Sequence, residues 1–431
     1  MPKVALVYPY FRTRAPTELL FTPLGVAYLA SQLHRLGIRA RIFDCTFSTF
    51  EKLQESLQAY QPDIVGIYCM VTLSRNTFRI AEMVREILPH SLLVVGGPLP
   101  TLYPEHFNGR FDMVFRGEAD LSFPRFCQDF FALKGAARRQ FQQLPLGRYP
   151  GLYTHQGGLE VENTLVHHTE VEIDSFPIPY RGDFDHAAYQ QEGLNRDGLK
   201  ITSLITTYGC PFHCDFCSRP VFGSRFRRRS LDSVMKEIGE IRQLGYDCLW
   251  IADDNFTLDL DYLREFCQRM EGSSTPWSCL SRVTGLSPEI TRQMKTAGCR
   301  RVYLGLESGT QETLKLMNKK ATLKDGINAV NLFHEAGVQV AAFFIVGYPG
   351  ETTASIEETF RFALSLPLDE ISFNVPFPLP GSSLFERVTE LDMNKDWDKE
   401  NEVTFVYNSE FDETWLRGRI EETMRLFAEK K

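Results

Sequence analysis

Cys210, Cys214 and Cys217 fall within eight positions, in the segment Tyr208-Gly209-Cys210-Pro211-Phe212-His213-Cys214-Asp215-Phe216-Cys217. Thiolates separated by three and then two residues can wrap one face of an iron–sulfur cube, leaving the fourth iron without a protein ligand and open to catalysis. Zinc is the competing metal, but a structural zinc site takes four ligands. His213 would have to be the fourth, and it is adjacent to Cys214, so it turns onto the same ion with difficulty. The other seven of the ten cysteines (Cys45, Cys69, Cys127, Cys248, Cys267, Cys279 and Cys299) are scattered singly. In a long chain without an export signal they read as small buried apolar residues rather than a disulfide framework.

These residues need elements that hold them. Over 1–135, short apolar, largely β-branched runs at Lys3–Tyr8, 39–43, Ile64–Tyr68, 92–95 and Met113–Phe115 alternate with helical spacing at 24–36 and 76–88. That alternation predicts an α/β fold, an open, doubly wound (Rossmann-like) parallel sheet whose ligands sit beyond the carboxyl ends of the strands. The loops at Tyr8, 69–74, 96–101 and 117–120 all leave that edge. Residues 136–199 turn to Gly, Pro, Gln and Tyr without sustained helical periodicity, and read as a linker with a small hairpin around Gly157-Gly158. A second β/α series fills 200–380, with strands at 204–207, Cys248–Ile251, 277–280, 302–305, 340–346 and Glu370–Asn374. Six such strands suit a partial (β/α)6 barrel with its reactive centre at the C-terminal strand ends. The cysteines directly follow the first of them. Residues 381–431 form a small C-terminal extension, helical at its end.

The Cys-x3-Cys-x2-Cys spacing, with the aromatic Phe216 before the last cysteine, resembles the radical S-adenosylmethionine superfamily. Further segments match it in order along the second series: Asp253-Asp254-Asn255-Phe256, Gly305-Leu306-Glu307-Ser308-Gly309, Val346-Gly347-Tyr348-Pro349-Gly350-Glu351 and Pro378-x-Pro380-Gly381-Ser382. The resemblance covers about 200–385 and implies a [4Fe–4S] cluster held by Cys210, Cys214 and Cys217, with S-adenosylmethionine as co-substrate. That molecule carries an amino group, a carboxylate and a sulfonium, so it needs acids near its cations and donors near its carboxylate. Under the resemblance Asp253, Asp254 and Glu307 are the acids, Arg282 meets the carboxylate, Val346 and Gly347 lie against adenine or ribose, and Phe216 belongs with the cofactor residues. Each acid alone also fits a helix N-cap or a solvated loop, Arg282 a structural salt bridge, and Gly347 a simple turn.

The first series resembles the cobalamin-binding domain of the B12-dependent branch of the same superfamily. The resemblance rests on 22–29 (Thr-Pro-Leu-Gly-Val-Ala-Tyr-Leu), Pro62-Asp63-Ile64-Val65-Gly66-Ile67, Val95-Gly96-Gly97-Pro98 and Arg116-Gly117-Glu118. It implies that Tyr8, Thr72, Gly96, Gly97, Pro98 and Glu118 face the cobalamin, small residues letting backbone approach a wide, flat corrin. The Asp-x-His-x-x-Gly motif that supplies a lower cobalt ligand in many B12 proteins is missing. His34 and Gly37 match its second half, Gln32 stands at the acid position, and His34 reads as a surface histidine near a helix C-cap. Together the resemblances imply a 5′-deoxyadenosyl radical that abstracts hydrogen from an unactivated carbon, followed by methyl transfer from methylcobalamin. Ring formation, rearrangement or oxidation with the same cofactors is the alternative. An electron donor such as flavodoxin or ferredoxin is implied as well.

A net charge of −8 argues against an extended nucleic-acid surface and leaves a small-molecule substrate. The run Arg225-Phe226-Arg227-Arg228-Arg229 precedes a good helix start at Ser230-Leu231-Asp232 and reads as a solvated or cofactor-facing loop. The amino-terminal apolar run is too short for a signal peptide, and none reaches the ~18–20 residues that span a bilayer. A cytoplasmic protein without stable membrane insertion is expected. Phe373, Phe377, Trp397, Phe405, Tyr407 and Trp415 either pack the core or line an apolar substrate cavity.

Overall fold

Lys3–Tyr8 (β1) shows why the first series folds as a sheet covered on both faces. Val4 and Leu6 point into one hydrophobic cluster with Val26, Ala27 and Phe126, while Ala5 and Val7 point into another with Leu53, Ile80 and Val84. Successive side chains of a strand face opposite ways, so a strand buried on both faces is apolar throughout rather than alternating. Four strands join it in this unit's parallel portion: Arg39–Asp44 (β2), Ile64–Tyr68 (β3), Leu92–Gly96 (β4) and Met113–Phe115 (β5), in the order β2-β1-β3-β4-β5. The order reverses between β1 and β3, and such a switch point opens a crevice at the carboxyl edge.

The computed structural model describes residues 2–12, 20–133, 138–156, 158–388 and 405–431. The chain divides into two compact units: Met1–Thr202 with Arg219–Gly223 and Arg227–Gly245, and Ser203–Ser218 with Ser224–Phe226 and Tyr246–Lys431.

The segment 136–199 is more structured than its composition suggests. Leu152–Gln156 (β6) and Leu159–Glu162 (β7) form the expected hairpin and extend the first sheet antiparallel beyond β5. Gly157 lies outside the described residues. His186–Asp197 is a twelve-residue helix, capped by the Asp185 side chain and closed by Gly198 in the left-handed conformation. Its buried residues are only Tyr189 and Gly193, so it lacks the apolar stripe that would announce it.

The second unit is built on a sheet whose order follows the sequence: Ile201–Leu204 (β8), Cys248–Ile251 (β9), Trp277–Ser281 (β10), Cys299–Glu307 (β11), Gln339–Ile345 (β12) and Glu370–Asn374 (β13). From β9 to β13 all neighbours are parallel. Helices cross over between them, and their starts are fixed by side-chain caps from Asp259, Ser287, Thr310, Thr322 and Thr352. Capping residues satisfy the first free N–H groups of a helix, which pins where each loop at a carboxyl strand end stops. The C-terminal helix Glu413–Glu429 is tied to the helix Thr353–Ser365 by Arg419, which grips both oxygens of Glu357 at 2.6 and 2.7 Å. No helix among the described residues is long and apolar enough to cross a membrane.

Candidate functional site

In the second unit the three clustered cysteines lie on the irregular loop after Tyr208, and all three are partly exposed. The seven single cysteines are all buried. Burial pushes the Cys69 and Cys267 thiols up to about 12, so they remain protonated and inert. Only the loop cysteines combine access with clustering. Among the described residues, no three His, Cys, Asp or Glu side chains converge as on a single ion. A cube takes one thiolate on each of three irons and so suits more widely held sulfurs than one zinc ion does.

Arg282, just past β10, reaches this loop. One guanidinium nitrogen lies 3.4 Å from Cys214 Sγ, the other donates to the Lys319 carbonyl, and the group stacks 3.7 Å from the Phe212 ring centre. Arg282 is buried, and its Nε has no partner among the described residues. A buried, unpaired donor beside the cysteine loop is what a bound anion would satisfy.

Glu307 arrives at the same place by a different device. The register of β11 against β12 shifts between Gly305 and Glu307, and Glu307 takes a left-handed φ of 65°. Such a bulge re-aims a side chain at a strand end. Here it delivers the carboxylate to Lys319 Nζ at 2.5 Å, with both side chains buried. Lys319 Nζ in turn stands 5.9 Å from the Phe216 ring. A Cβ on Gly305 would lie 2.3 Å from Glu307 Oε1 and 2.6 Å from Lys319 Nζ, so the pair fills the space that a side chain there would take.

The other expected residues divide. Asp253 is fully enclosed: it accepts from the Thr206 N–H at 2.6 Å and from the Thr206 and Thr207 hydroxyls at 2.5 and 2.8 Å. Burial pushes its carboxyl up to about 6, against the opposing pull of those donors. It braces the chain entering the cysteine loop, whereas Asp254 next to it is exposed. Val346 is buried and donates its N–H to the Asn374 carbonyl at 2.9 Å. Gly347 has Phe405 against it, where a Cβ would meet the ring at 2.8 Å. Phe405 and Tyr407 are core residues, Phe373, Phe377 and Trp415 are partly buried, and Trp397 lies outside the described residues.

In the first unit the β1/β3 crevice edge carries Tyr8, whose ring centre lies 5.5 Å from Tyr68 and 6.3 Å from Tyr10. Thr72 sits on the short turn Val71–Leu73 after β3, and Pro98 opens the helix Pro98–Leu102 after β4. All are partly exposed, giving a rim of rings, a hydroxyl and bare backbone. Gly97 has φ 114°, and a Cβ on it would stand 2.6 Å from the Cys69 carbonyl oxygen. Glycine is needed there because the loops after β3 and β4 touch backbone to backbone. Gly96 is limited in the same way by the Phe115 carbonyl, 3.1 Å from its Cβ position. Thr101 was not foreseen: it donates to the Gly97 carbonyl at 2.7 Å and accepts from the Gly117 N–H at 2.8 Å, joining two of the expected loops.

Glu118, expected among the cobalamin residues, uses both carboxylate oxygens within the protein, on His167 Nδ1 (2.8 Å), the His168 N–H (3.0 Å) and Arg227 (2.7 Å). The basic run is not a solvated loop. Arg227 and Arg229 are buried, Arg229 pairing at 2.5 Å with Glu237, which also holds Arg181 at 2.7 Å. Only Arg225 and Arg228 of that run are exposed. His34 is a surface residue in the last turn of its helix, as expected.

One α/β unit with a three-cysteine loop shortly after its first strand, and another with a switch-point crevice, define a radical enzyme with an appended cofactor domain. Residues 204–363 match the model of the radical SAM superfamily, and residues 14–126 that of the B12 binding domain. An uncharacterized methyltransferase of Pyrococcus horikoshii is 30% identical over 378 residues, covering 84% of this chain and 78% of that relative. An anaerobic magnesium-protoporphyrin IX monomethyl ester cyclase of Cereibacter sphaeroides is 28% identical over 420 residues, 93% of this chain and 66% of that relative. The solved structure of the radical S-adenosylmethionine methyltransferase TsrM from Kitasatospora setae, with cobalamin and a [4Fe–4S] cluster bound, superposes with a TM-score of 0.74. At 19% identity over 89% of this chain and 77% of that one, it shows the shared fold. The chain belongs to the cobalamin-binding branch of the radical S-adenosylmethionine superfamily. It is an enzyme whose cofactors are a [4Fe–4S] cluster, S-adenosylmethionine and cobalamin.

Proposed function

We propose that this enzyme transfers a methyl group to an unactivated carbon of a small or hydrophobic substrate. When bound, the cluster with S-adenosylmethionine supplies a one-electron route to a 5′-deoxyadenosyl radical, and cobalamin supplies the methyl group. The observation that carries the proposal is the cysteine loop with Arg282 against it: three partly exposed thiols, one of which, Cys214, meets a buried guanidinium that still has a donor to give.

On this reading Cys210, Cys214 and Cys217 ligate three irons. Arg282 offers Nε to the anionic part of S-adenosylmethionine, the exposed Asp254 is the acid for its amino group, and the backbone at Val346 and Gly347 borders the nucleoside. Glu307 and Lys319 keep Arg282 and Phe216 in place. In the first unit Tyr8, Thr72, Gly96, Gly97 and Pro98 form the rim for the corrin, and Glu118 holds the loop behind it. A reducing partner of the flavodoxin or ferredoxin type supplies the electron.

Methyl transfer is favoured by the methyltransferase relative that this chain matches over most of its length. A second reading has a specific warrant too: the similar cyclase uses a tetrapyrrole according to its name and makes a ring. The test begins with anaerobic reconstitution by iron, sulfide and hydroxocobalamin, followed by a spectrum and a metal count. About four irons and one cobalt per chain are expected, with Cys210→Ala, Cys214→Ala and Cys217→Ala losing the iron and keeping the cobalt. Four irons without cobalt would overturn methyl transfer through B12. With methyl-labelled S-adenosylmethionine and extracts as substrate source, S-adenosylhomocysteine alongside 5′-deoxyadenosine supports methyl transfer. 5′-Deoxyadenosine alone supports the cyclising or oxidising reading.

A further inference from the structure

The cysteine loop, residues 209–218, has no helix or strand of its own, so individual hydrogen bonds decide its shape. Asp215, between Cys214 and Cys217, makes an unusual share of them. Its N–H donates at 2.9 Å to the carbonyl of Met317, which ends the helix Gln311–Leu316. Its carbonyl accepts at 2.9 Å from the N–H of Leu384 in the helix Ser383–Arg387. Its carboxylate accepts from the Tyr348 hydroxyl and from the Arg387 guanidinium. Its N–H, its carbonyl and its carboxylate Oδ2 are therefore taken, by three segments distant in sequence: the end of a helix, the turn after β12 and the short helix near 385.

The side chains behind these bonds are packed as well. Met317, Tyr348 and Leu384 form a fully buried cluster, and Phe216 of the loop leans on it. Burial and the Asp215 carboxylate hold the Tyr348 phenol well above its ordinary titration range, so it stays a donor. Cys217 N–H closes on the Cys214 carbonyl at 3.1 Å, making 214–217 a single turn with Asp215 inside it. Moving Asp215 moves both flanking thiolates.

We infer that Asp215 is a positioning residue for the iron-binding loop, its carboxylate clamped by Tyr348 and Arg387 to fix where Cys214 and Cys217 present their sulfurs. This rests on the proposal that those cysteines hold the cluster. The clamp is also a charge pair, one position from a ligand, with side-chain exposures of 13% for Asp215 and 43% for Arg387. Net charge and hydrogen bonding around a cluster set its potential, and a nearby negative charge opposes the added electron. Asp215→Asn removes that charge and raises the midpoint potential, whereas Arg387→Ala leaves it uncompensated and lowers the potential. Tyr348→Phe alters no charge, so it loosens the loop without a potential shift.

The test uses full-length protein reconstituted anaerobically with iron and sulfide: wild type, Asp215→Asn, Arg387→Ala and Tyr348→Phe. Three quantities are read: irons retained after gel filtration, the potential from an EPR-monitored titration, and the S-adenosylmethionine concentration that half-saturates the change in the reduced signal. Expected are potential shifts of opposite sign for Asp215→Asn and Arg387→Ala, and a several-fold higher half-saturation in all three variants. A residue that merely stabilises the fold would lower the melting temperature and leave these readouts alone. Wild-type iron uptake with Asp215→Asn and Arg387→Ala matching wild type, or shifting the potential the same way, overturns the inference and spares the cluster reading. A wild-type chain that takes up no iron overturns both.

Discussion

Gly305→Ala is a substitution that ordinarily helps a strand, by ~0.5–1 kcal/mol, because alanine loses less backbone freedom on folding. Here the sign reverses. The added methyl would sit 2.3 Å from Glu307 Oε1 and 2.6 Å from Lys319 Nζ, well inside contact distance. Both atoms are the ends of flexible chains, so the backbone need not move, and the expected outcome is that the ion pair parts. Each side chain is only 8% exposed, so the separated charges stay desolvated. Breaking a buried pair costs ~3–5 kcal/mol, which after the gain from alanine leaves about 2–4 kcal/mol of destabilisation. For a folding unit of this size that is a fall of about 4–16 °C in melting temperature. The assay is thermal and urea unfolding of Gly305→Ala in the wild-type chain and in a Glu307→Ala/Lys319→Ala background. Once both side chains are cut back, the methyl has nothing to strike, and its cost there should drop below ~1 kcal/mol. Equal costs in the two backgrounds, or a neutral effect in the wild type, would refute the claim that the ion pair dictates the glycine.

Asp253 gives a pH prediction. Its folded-state pKa of about 6 lies above the ordinary carboxyl value, so the folded chain binds the extra proton between pH ~4 and 6. Stability from this group is present at the acid end and is lost as pH rises through 6, by about 3 kcal/mol, and Asp253→Asn should remove that slope in urea unfolding measured from pH 4 to 7. Glu118→Gln should destabilise the first unit by ~3 kcal/mol, because Arg227 keeps its charge in a buried site. Cobalamin titrated by its visible spectrum should bind that variant with wild-type affinity, and a lost spectrum with unchanged stability would return Glu118 to the cofactor.

The cysteine trio stood out because its three thiols fall within eight positions, so their spacing is written in one short segment. The two sheets were legible for a similar reason. A strand buried on both faces is a local apolar run, and the crossover helices between such strands carry their own caps. What escaped depends on distant partners. Arg227 reads as one of four neighbouring arginines, and its carboxylate partner Glu118 is 109 positions away. Lys319 looks like one of a lysine pair, yet the bulge at Gly305 brings Glu307 to it. The helix His186–Asp197 escaped because it buries so little apolar surface.

The acids show most plainly where sequence reasoning stops. Asp253, Glu307 and Glu118 were all expected to meet a cofactor, and each also has protein donors on its carboxylate. A carboxylate buried at the carboxyl end of a strand cannot wait unpaired for a ligand, since the uncompensated charge costs several kcal/mol. The fold therefore satisfies it internally, and the acid becomes part of the scaffold that holds the neighbouring loop. The groups placed to meet a ligand are of other kinds: partly exposed thiols, the exposed Asp254, the side-chain-free positions Gly96 and Gly97, and one guanidinium nitrogen of Arg282. Of these only the Arg282 Nε is buried; its guanidinium carries a full charge, held by the Lys319 carbonyl, Cys214 Sγ and the face of the Phe212 ring, and one N–H is left for an anion. A bound anion would both offset that charge and satisfy the remaining N–H, which is the physical reason an arginine rather than a carboxylate suits an anionic ligand beside the cysteine loop.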